Sequence, residues 1–251
     1  MNYSFEKLSP TVFVATSAEH TFGTDAVLLS HFAQIKEGDR AIDLGTGCGI
    51  VPLYFIANGY KGALTCIDIQ ENAIEQVTAG AEKSGVQNQI DERVLDLRNL
   101  KGQFKAGEFT LVTMNPPYKP VNTGIISSSY SAKIARHEVT CTLNDVAQAA
   151  NYLLNYGGRL VICHRPERMA DVIVTMREHA LEPKTLRLVC NKLGEKPFLF
   201  LLECKKNSHP FLTVEPPLYL KNEDGTFTPE ALKFYGTYAE EYLKLKNKEL
   251  D

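Results

Sequence analysis

The stretch Asp43-Leu-Gly-Thr-Gly-Cys-Gly49 carries a glycine at every second position after Leu44. An apolar run at 40–44 leads into it and predicts a strand, and residues 50–58 predict a helix directly after it. Glycine adopts positive φ at low cost and lets the backbone approach a ligand closely. Because the start of a helix also presents unpaired N–H groups, the stretch predicts a strand, a tight turn and a helix that together hold a ligand.

The segments on both sides of this turn continue the alternation. Strands are predicted over 40–44, 63–68, 93–97, 109–114 and 159–163, and helices over 24–35, 50–58, 71–84 and 143–155. This order predicts an α/β fold with a doubly wound, mostly parallel sheet, whose ligands bind at the carboxyl ends of the strands. Two later apolar runs, 185–190 and 197–204, predict an antiparallel hairpin at the sheet edge, and residues 229–248 predict an amphipathic helix.

Asp68 ends the predicted strand after the glycine turn, 19 residues beyond Gly49. A carboxylate at this place can accept hydrogen bonds from both hydroxyls of a ribose. A dinucleotide site would have the pattern Gly-x-Gly-x-x-Gly, whereas here the third glycine comes one residue earlier and an acid, Asp43, precedes the turn. A tight strand-to-helix turn with a solvated Asp68 is the alternative.

With that spacing, the stretch 43–49 resembles the first motif of class I S-adenosylmethionine-dependent methyltransferases. The resemblance implies that Asp43 and Gly45 border the methionine part of S-adenosylmethionine, that Asp68 binds its ribose, and that Asp96 with Leu97 frames its adenine. The residues expected to bind this cofactor are Thr24, Asp43, Gly45, Thr46, Gly47, Gly49, Asp68, Ile69, Asp96, Leu97 and Asn115.

Thr24 is a plausible N-cap of the helix predicted over 24–35. Together with Asp25 it would place a capped helix start just upstream of the first strand of the sheet, where it could cover the carboxylate of the cofactor. An ordinary cap without a binding role is the alternative. By this division, residues 1–38 form an N-terminal segment and helix over the cofactor, residues 39–204 form the methyltransferase domain, and residues 205–251 form an extension that is not a separate domain.

The run Asn115-Pro-Pro-Tyr118 follows the predicted strand 109–114, so it is expected at the same edge as the glycine turn. Each proline restricts the residue before it to extended geometry, which holds Asn115 and Pro116 stiffly. The Asn115 side chain and the Pro116 carbonyl can accept the two N–H protons of an amide or exocyclic amine and localise its lone pair. Tyr118 can stack on a planar group. The run resembles the fourth motif of amino-methyltransferases, so Asn115, Pro116, Pro117 and Tyr118 are the expected catalytic residues; a rigid turn with a core tyrosine is the alternative.

Composition sets further limits. The chain has 251 residues, 44% of them hydrophobic, and a net charge of −3, which supports one sizeable core and weakens a nucleic-acid interpretation without excluding it. It has no run of about 18 apolar residues and no apolar leader, so neither a membrane span nor a secretory signal is expected. The six scattered cysteines form no Cys-x-x-Cys pair, which predicts reduced thiols in a cytoplasmic protein and no metal site.

The two motifs leave adenine N6, cytosine N4 and glutamine N5 open as acceptors. Three further segments, at 22–29, 135–138 and 165–168, are together with the motifs similar to the bacterial tRNA1(Val) adenine-37 N6-methyltransferase family, over roughly residues 5 to 205. That resemblance implies an adenine next to a tRNA anticodon as the target and tRNA as the partner. An enzyme acting on a nucleobase needs an unstacked base, as an anticodon loop offers.

Basic residues around the predicted site are candidates for phosphate contacts. The expected substrate-binding residues are Lys119, Arg136, His137, Arg165, Lys192 and Lys196; further candidates are Lys133, Arg168, Lys184, Arg187, Lys205 and Lys206. A solvated lysine surface is the alternative, and Arg136 to Glu138 would equally suit a salt bridge at a helix start.

Other functions stay open at the level of sequence. A glutamine N5-methyltransferase of release factors shares the Asn-Pro-Pro-Tyr chemistry, but its family has a helical domain before the core, and only 42 residues precede Asp43. A DNA adenine methyltransferase would be expected to show a target-recognition domain. A non-catalytic module that binds S-adenosylmethionine or RNA would not need the run 115–118.

Overall fold

The computed structural model describes residues 3–18, 20–116 and 141–248. Its strands are β1 (Ser4–Lys7), β2 (Phe13–Thr16), β3 (Ala41–Leu44), β4 (Leu64–Asp68), β5 (Ile90–Val94), β6 (Phe109–Met114), β7 (Leu154–His164), β8 (Leu181–Cys190), β9 (Leu199–Lys206), β10 (Thr213–Val214) and β11 (Leu218–Tyr219). Its α-helices are α1 (Thr24–Phe32), α2 (Ile50–Ala57), α3 (Glu71–Ser84), α4 (Leu143–Leu153), α5 (Met169–Glu178), α6 (Pro229–Tyr235) and α7 (Ala239–Lys248).

The central sheet has the order β10-β8-β9-β7-β6-β3-β4-β5, with β11 also paired to β8. Within its described strands β9 alone is reversed, because it pairs antiparallel with both β7 and β8 while the other pairs are parallel. The doubly wound, mostly parallel sheet and the antiparallel β8–β9 hairpin are therefore confirmed. The short strands β10 and β11 extend the sheet beyond that hairpin, which the sequence does not predict.

Alternate residues of the inner strands pack into two separate cores, one on each face of the sheet. In β3, Ile42 and Leu44 belong to the core beneath α4 and α5, whereas Ala41 belongs to the core beneath α1, α2 and α3. The inner strands are buried on both faces, which explains why they appear in the sequence as continuous apolar runs. This arrangement leaves the carboxyl ends of β3, β4, β6 and β7 together at one edge.

Several element boundaries predicted from the sequence are wrong in detail. The strand predicted at 93–97 lies at Ile90–Val94, because this outer strand has few buried residues and its polar sequence gives no register signal. The helix predicted at 143–155 ends at Leu153, and β7 begins at the next residue. The helix predicted at 24–35 ends at Phe32, and its N-cap is Gly23 with no side-chain cap, so Thr24 is its first residue rather than its cap.

The C-terminal helix predicted at 229–248 is broken into two. Gly236 has a φ of +55°, and a short 3₁₀ turn, Gly236–Tyr238, separates α6 from α7. The break lets Tyr235 and Tyr238 both reach the core beneath α1 and α2. At the other end of the chain, the β1–β2 hairpin buries Leu8 and Val14 in the same core. Both termini thus pack on the central unit, and the division into 1–38, 39–204 and 205–251 stays a prediction.

Candidate active site

The glycine turn after β3 has a backbone that other residues would adopt only with strain. Gly45, Gly47 and Gly49 have φ values of +62°, +56° and +76°. The Thr46 N–H donates to the Ile67 carbonyl at 3.0 Å, which ties the turn to the end of β4. Gly49 plays a different part from the other two, because a Cβ there would stand 3.0 Å from Val77 of α3. It therefore permits close packing of α2 on α3 rather than lining a ligand site.

Asp68, the last residue of β4, is held in one orientation by two backbone groups. Its Oδ2 accepts from the Gly47 N–H at 3.0 Å, and its Oδ1 accepts from the Gln70 N–H at 2.9 Å. A carboxylate oxygen can accept more than one hydrogen bond, so each oxygen keeps acceptor capacity toward a ligand. The carboxylate is nearly buried and lines the adjoining cleft, where it could bind a pair of hydroxyls.

Asp43 lies inside the sheet edge, where the Thr113 hydroxyl of β6 donates to its Oδ1 at 2.6 Å. Burial raises the pKa of Asp43 from its ordinary value to about 7, although the hydrogen bond from Thr113 opposes this rise. The carboxyl is thus poised between its neutral and ionised forms near neutral pH. A cationic ligand nearby would favour the ionised form.

The raised pKa predicts a specific pH dependence of stability. The unfolded chain loses the Asp43 proton near pH 4, while the folded protein keeps it to about pH 7, so this group's contribution falls as pH rises between these values. The limiting slope is about 1.4 kcal/mol per pH unit. Replacing Asp43 by Asn keeps an acceptor for Thr113 and removes the titration. Urea unfolding measured from pH 4.5 to 8 should show that the free energy of unfolding of the variant increases relative to that of the wild type as pH rises. A difference in free energy of unfolding that stays constant with pH would contradict the raised pKa of Asp43.

These residues surround a cleft of about 670 Å³ at the carboxyl edge of the sheet, a size typical of small-molecule sites. Of the residues predicted from the sequence, the cleft is lined by Asp43, Gly45, Thr46, Gly47, Asp68, Ile69, Asp96, Leu97, Asn115, Pro116 and Arg165. Asp25, Asp43, Asp68 and Asp96 bring four carboxyl groups to it, and Arg165 is the one Lys or Arg side chain among its described lining residues. These carboxyl groups accept hydrogen bonds and carry negative charge when ionised, so they suit a ligand that has hydroxyl groups and a positive charge.

Asp96 follows β5 and is held by its neighbour Arg98. The Arg98 Nη2 lies 2.5 Å from Asp96 Oδ2, and this hydrogen-bonded pair lowers the pKa of Asp96. The Leu95 N–H donates to the Asp68 carbonyl at 2.8 Å, which brings the segment after β5 beside the end of β4. Asp96 is therefore an ionised acceptor in the same cleft as Asp68.

Asn115 comes directly after β6, and Pro116 is buried beside it in the cleft wall. The thiol of Cys163, at the end of neighbouring β7, donates to Asn115 Oδ1 at 3.1 Å. This contact helps to orient the amide oxygen at the cleft wall. The sequence did not point to Cys163, which appears there only as one more thiol in an apolar run.

The two residues after Cys163 differ in their relation to the cleft. His164 is buried, and its Nδ1 accepts from the Arg165 N–H at 2.8 Å. Burial lowers the pKa of His164 to about 4, so its imidazole is neutral at pH 7. Arg165 lines the cleft and donates from Nη1 to the Phe198 carbonyl at 3.1 Å. Of these two residues, Arg165 lines the cleft and His164 does not.

The N-terminal segment contributes more to the cleft than the sequence predicts, although Thr24 itself does not line it. His20, Phe22, Gly23 and Asp25 do. The segment is tied to α3 by the buried Gln76, whose Nε2 donates to the carbonyls of Ala15 at 2.9 Å and His20 at 3.1 Å. A glutamine inside a helix carries no sequence signal for such a role, which is why the contribution of His20, Phe22 and Gly23 to this wall is not predicted from the sequence.

The hairpin lysines lie at the two opposite ends of the strands, one pair on the side of the cleft and the other on the far side. Lys192 and Lys196 are in the turn between β8 and β9, at the carboxyl edge with the cleft, and Lys192 Nζ donates to the Glu223 carbonyl at 3.2 Å. Lys205 and Lys206 end β9 at the other edge, where Lys206 Nζ donates to the Leu154 carbonyl at 2.8 Å. Neither Lys192 nor Lys196 lines the cleft. The pairs therefore do not form one surface.

The remaining predictions lie outside the described residues. They concern Pro117, Tyr118, Lys119, Lys133, Arg136 and His137. Their assignments stay predictions. Within residues 3–18, 20–116 and 141–248, no group of three or more His, Cys, Asp or Glu side chains is arranged to hold a metal ion. Over the same ranges, no helix has the length and apolar character needed to cross a membrane.

Comparison with known proteins shows which family the chain belongs to. The methyltransferase small domain family matches residues 7–182 of the chain. The tRNA1(Val) (adenine(37)-N6)-methyltransferase of Glaesserella parasuis is 30% identical over 90% of this chain and 91% of its own length. A protein of the same name from Parabacteroides distasonis is 28% identical over 85% of this chain and 90% of its own length.

A solved structure agrees on the fold. The predicted O-methyltransferase Atu636 from Agrobacterium tumefaciens has a TM-score of 0.70 to this protein, at 20% identity, and covers 85% of this chain and 96% of its own. At that identity the likeness bears on the fold alone. Sequence and fold therefore lead to the same conclusion: the chain belongs to the methyltransferase small domain family, among relatives named tRNA1(Val) (adenine(37)-N6)-methyltransferases, and is a methyltransferase.

Proposed function

We propose that this enzyme transfers the methyl group of S-adenosylmethionine to the exocyclic N6 of an adenine in tRNA, with the adenine beside the anticodon of a valine tRNA as its target. The observation that carries the proposal is the position of Asn115 and Pro116, which line the same cleft as Asp68 and the glycine turn. The amide of Asn115 can accept a hydrogen bond from a planar amine, and it lies in the cleft that we assign to the nucleoside of the cofactor. A cytoplasmic location goes with this substrate.

The residues of the cleft fit the cofactor in charge and in hydrogen-bonding capacity. In this proposal Asp68 accepts from the ribose hydroxyls, and Asp96 with Leu97 borders the adenine. Asp43, Gly45, Thr46 and Gly47 border the methionine end. When bound, S-adenosylmethionine supplies an electrophilic methyl group next to a sulfonium cation. The acidic lining supports this assignment, because an anionic dinucleotide would be repelled by the same carboxylates.

Asn115 and Pro116 act on the acceptor amine. The Asn115 side-chain oxygen and the carbonyl of Pro116 accept its two N–H protons, which localises the nitrogen lone pair toward the methyl group. The new N–C bond forms as the S–C bond breaks, and the methylated amine then loses a proton to water. No strong base is needed, because the amine becomes acidic only after transfer. The neutral, hydrogen-bonded His164 is consistent with this route.

The names of the relatives support tRNA as the acceptor, and the structure supports an RNA surface at the cleft edge. Arg165 lies in the cleft, and the turn bearing Lys192 and Lys196 lies beside it at the same edge. Phosphate contacts there would hold an anticodon loop against the site.

The direct test is a labelling experiment with four substrates. The protein is incubated with methyl-labelled S-adenosylmethionine and, separately, unmodified tRNA, ribosomal RNA, duplex DNA and release factor, and the labelled position is mapped by mass spectrometry. N6-methyladenine in the anticodon arm of valine tRNA is the expected product. Label on a release-factor glutamine or on DNA would replace the proposed acceptor. Cofactor binding without label in any pool would favour a non-catalytic binding module.

The separated hairpin lysines give a matched test of the RNA surface. Changing Lys192 and Lys196 to Glu should weaken tRNA binding about tenfold or more and reduce the slope of log affinity against log salt by about two, as expected for two lost phosphate contacts. Changing Lys184 and Lys205 to Glu makes the same charge change in the same hairpin, away from the cleft edge. Filter binding at several salt concentrations compares the two. Equal losses in both variants would exclude a local surface at 191–198.

A further inference from the structure

The C-terminal extension contacts the N-terminal wall of the cleft from its outer side. The Tyr235 hydroxyl, at the end of α6, donates to Thr24 Oγ1 at 3.3 Å. The ring of Tyr238 packs edge-on against Phe22, with centroids 5.8 Å apart. Phe22 lines the cleft, as do Gly23 and Asp25 on either side of Thr24. The extension therefore touches the outer side of a segment whose inner side forms the cleft.

The turn at 235–238 also contacts the β1–β2 hairpin and helix α2. Thr237 Oγ1 donates to the Leu8 carbonyl, next to β1, at 3.1 Å, and the Tyr238 hydroxyl donates to Glu6. The Thr237 N–H donates to Asn58 Oδ1, at the end of α2, at 3.2 Å. Because α2 begins at the glycine turn, the residues 235–238 connect both the β1–β2 hairpin and this helix to the cleft wall.

Both tyrosines of the turn are buried and packed among aromatic rings. Tyr235 and Tyr238 are 1% and 3% exposed. Tyr235 stacks on Tyr242 with centroids 4.4 Å apart, and Phe227 packs edge-on against both, at 5.8 and 5.5 Å. Such ring clusters have few rotamers and favour specific geometry. His31 of α1 packs on Phe234 at 4.4 Å, which fixes the helix at a second point.

We propose that Tyr235 and Tyr238 are positioning residues of the cofactor cleft: the C-terminal turn holds residues 22–25 in place and thereby sets the affinity for the nucleoside cofactor. The inference rests on the proposed cofactor assignment. A segment that is already ordered loses less conformational freedom when the ligand binds, so loosening it raises the dissociation constant. A purely structural role for the extension would lower stability without acting selectively on the cleft.

The test compares cofactor affinity with stability in four variants. Tyr235→Phe and Thr24→Val remove opposite ends of one hydrogen bond with little change of volume, and Tyr238→Leu removes the ring contact with Phe22 and the bond to Glu6. Tyr152→Phe is the matched control, because its hydroxyl donates to the Phe104 carbonyl at 2.8 Å on the other face of the sheet. Calorimetry measures the dissociation constant of S-adenosylhomocysteine, and urea unfolding measures stability.

Tyr235→Phe and Thr24→Val should each raise the dissociation constant about fivefold, the scale of one hydrogen bond, and the double variant should raise it no further. Tyr238→Leu should also raise it, and Tyr152→Phe should leave it unchanged even where its loss of stability is similar. Dissociation constants within twofold of wild type in all three wall variants would overturn the inference. Failure of the wild-type protein to bind S-adenosylhomocysteine would instead overturn the cofactor assignment on which it rests.

Discussion

Replacing Asn115 by Ala should lower kcat for methyl transfer by a factor on the order of 10² to 10³, the usual effect of losing one preorganised polar contact to the reacting group. Asn115 lines the cleft directly after β6, and the Cys163 thiol donates to its Oδ1 at 3.1 Å. Because Asp68 and Asp96 make the main cofactor contacts in the proposed complex, the dissociation constant for S-adenosylhomocysteine should stay within a few-fold of wild type. Single-turnover kinetics and calorimetry measure the two quantities.

Cys163→Ala is the control for this variant. It removes the same hydrogen bond from the other side and leaves the amide in place, so activity should fall far less than with Asn115→Ala. If the two variants lose activity equally, local packing rather than the amide acceptor explains the effect. Unchanged turnover in Asn115→Ala would remove the residue from the mechanism altogether.

Replacing Asp68 by Ala is expected to weaken cofactor binding by a factor on the order of 100 or more. Hydrogen bonds to a charged group contribute roughly 1.5–3 kcal/mol each, and in the proposed complex this carboxylate accepts two from the ribose. The substitution also frees the N–H groups of Gly47 and Gln70, which the carboxylate now accepts at 3.0 and 2.9 Å, so the glycine turn loses its support. Calorimetric titration with S-adenosylhomocysteine measures the loss.

Asp91→Ala serves as the control, because Asp91 is an exposed aspartate of β5 paired with Arg93 and does not line the cleft. Its removal should leave cofactor affinity unchanged. Asp68→Asn keeps the size of the side chain but replaces one acceptor oxygen by a donor, so it should fall between wild type and Asp68→Ala. Wild-type affinity in Asp68→Ala would show that the ribose is bound elsewhere.

The parts of the site that the sequence predicts well are those in which function and local backbone coincide. The glycine turn and Asn115 come directly after buried strands, and Asp68 is the last residue of one. Parallel strands bring their carboxyl ends to one edge whatever the detailed packing. A strand that ends in the right residue therefore places that residue without further information. Asp96 also lines the cleft although its strand was predicted three residues too late, because it still follows β5.

The failures arise where tertiary contacts decide. Threonine is a residue type that often caps a helix, yet the hydroxyl of Thr24 accepts a hydrogen bond from Tyr235, which lies 211 residues later in the chain. Lys196 and Lys205 are close in sequence, but β9 carries them to opposite edges of the sheet. The apolar pattern of 229–248 is helical throughout, and only packing at Gly236 selects two helices over one. The first two outcomes have no local signal, whereas Gly236 is a local indication of a helix break that the prediction of a single helix does not use.

The reversed strand β9 has a consequence for how enzymes of this architecture can diverge. Because β9 returns antiparallel between β7 and β8, the turn at 191–198 opens at the cleft edge while both of its flanking strands stay locked in register. Lengthening such a turn costs little, about 0.6 kcal/mol for each doubling of its length. Insertions there would extend the protein toward a larger or differently shaped acceptor without moving Asn115 or Asp68, so substrate range can change independently of the chemistry.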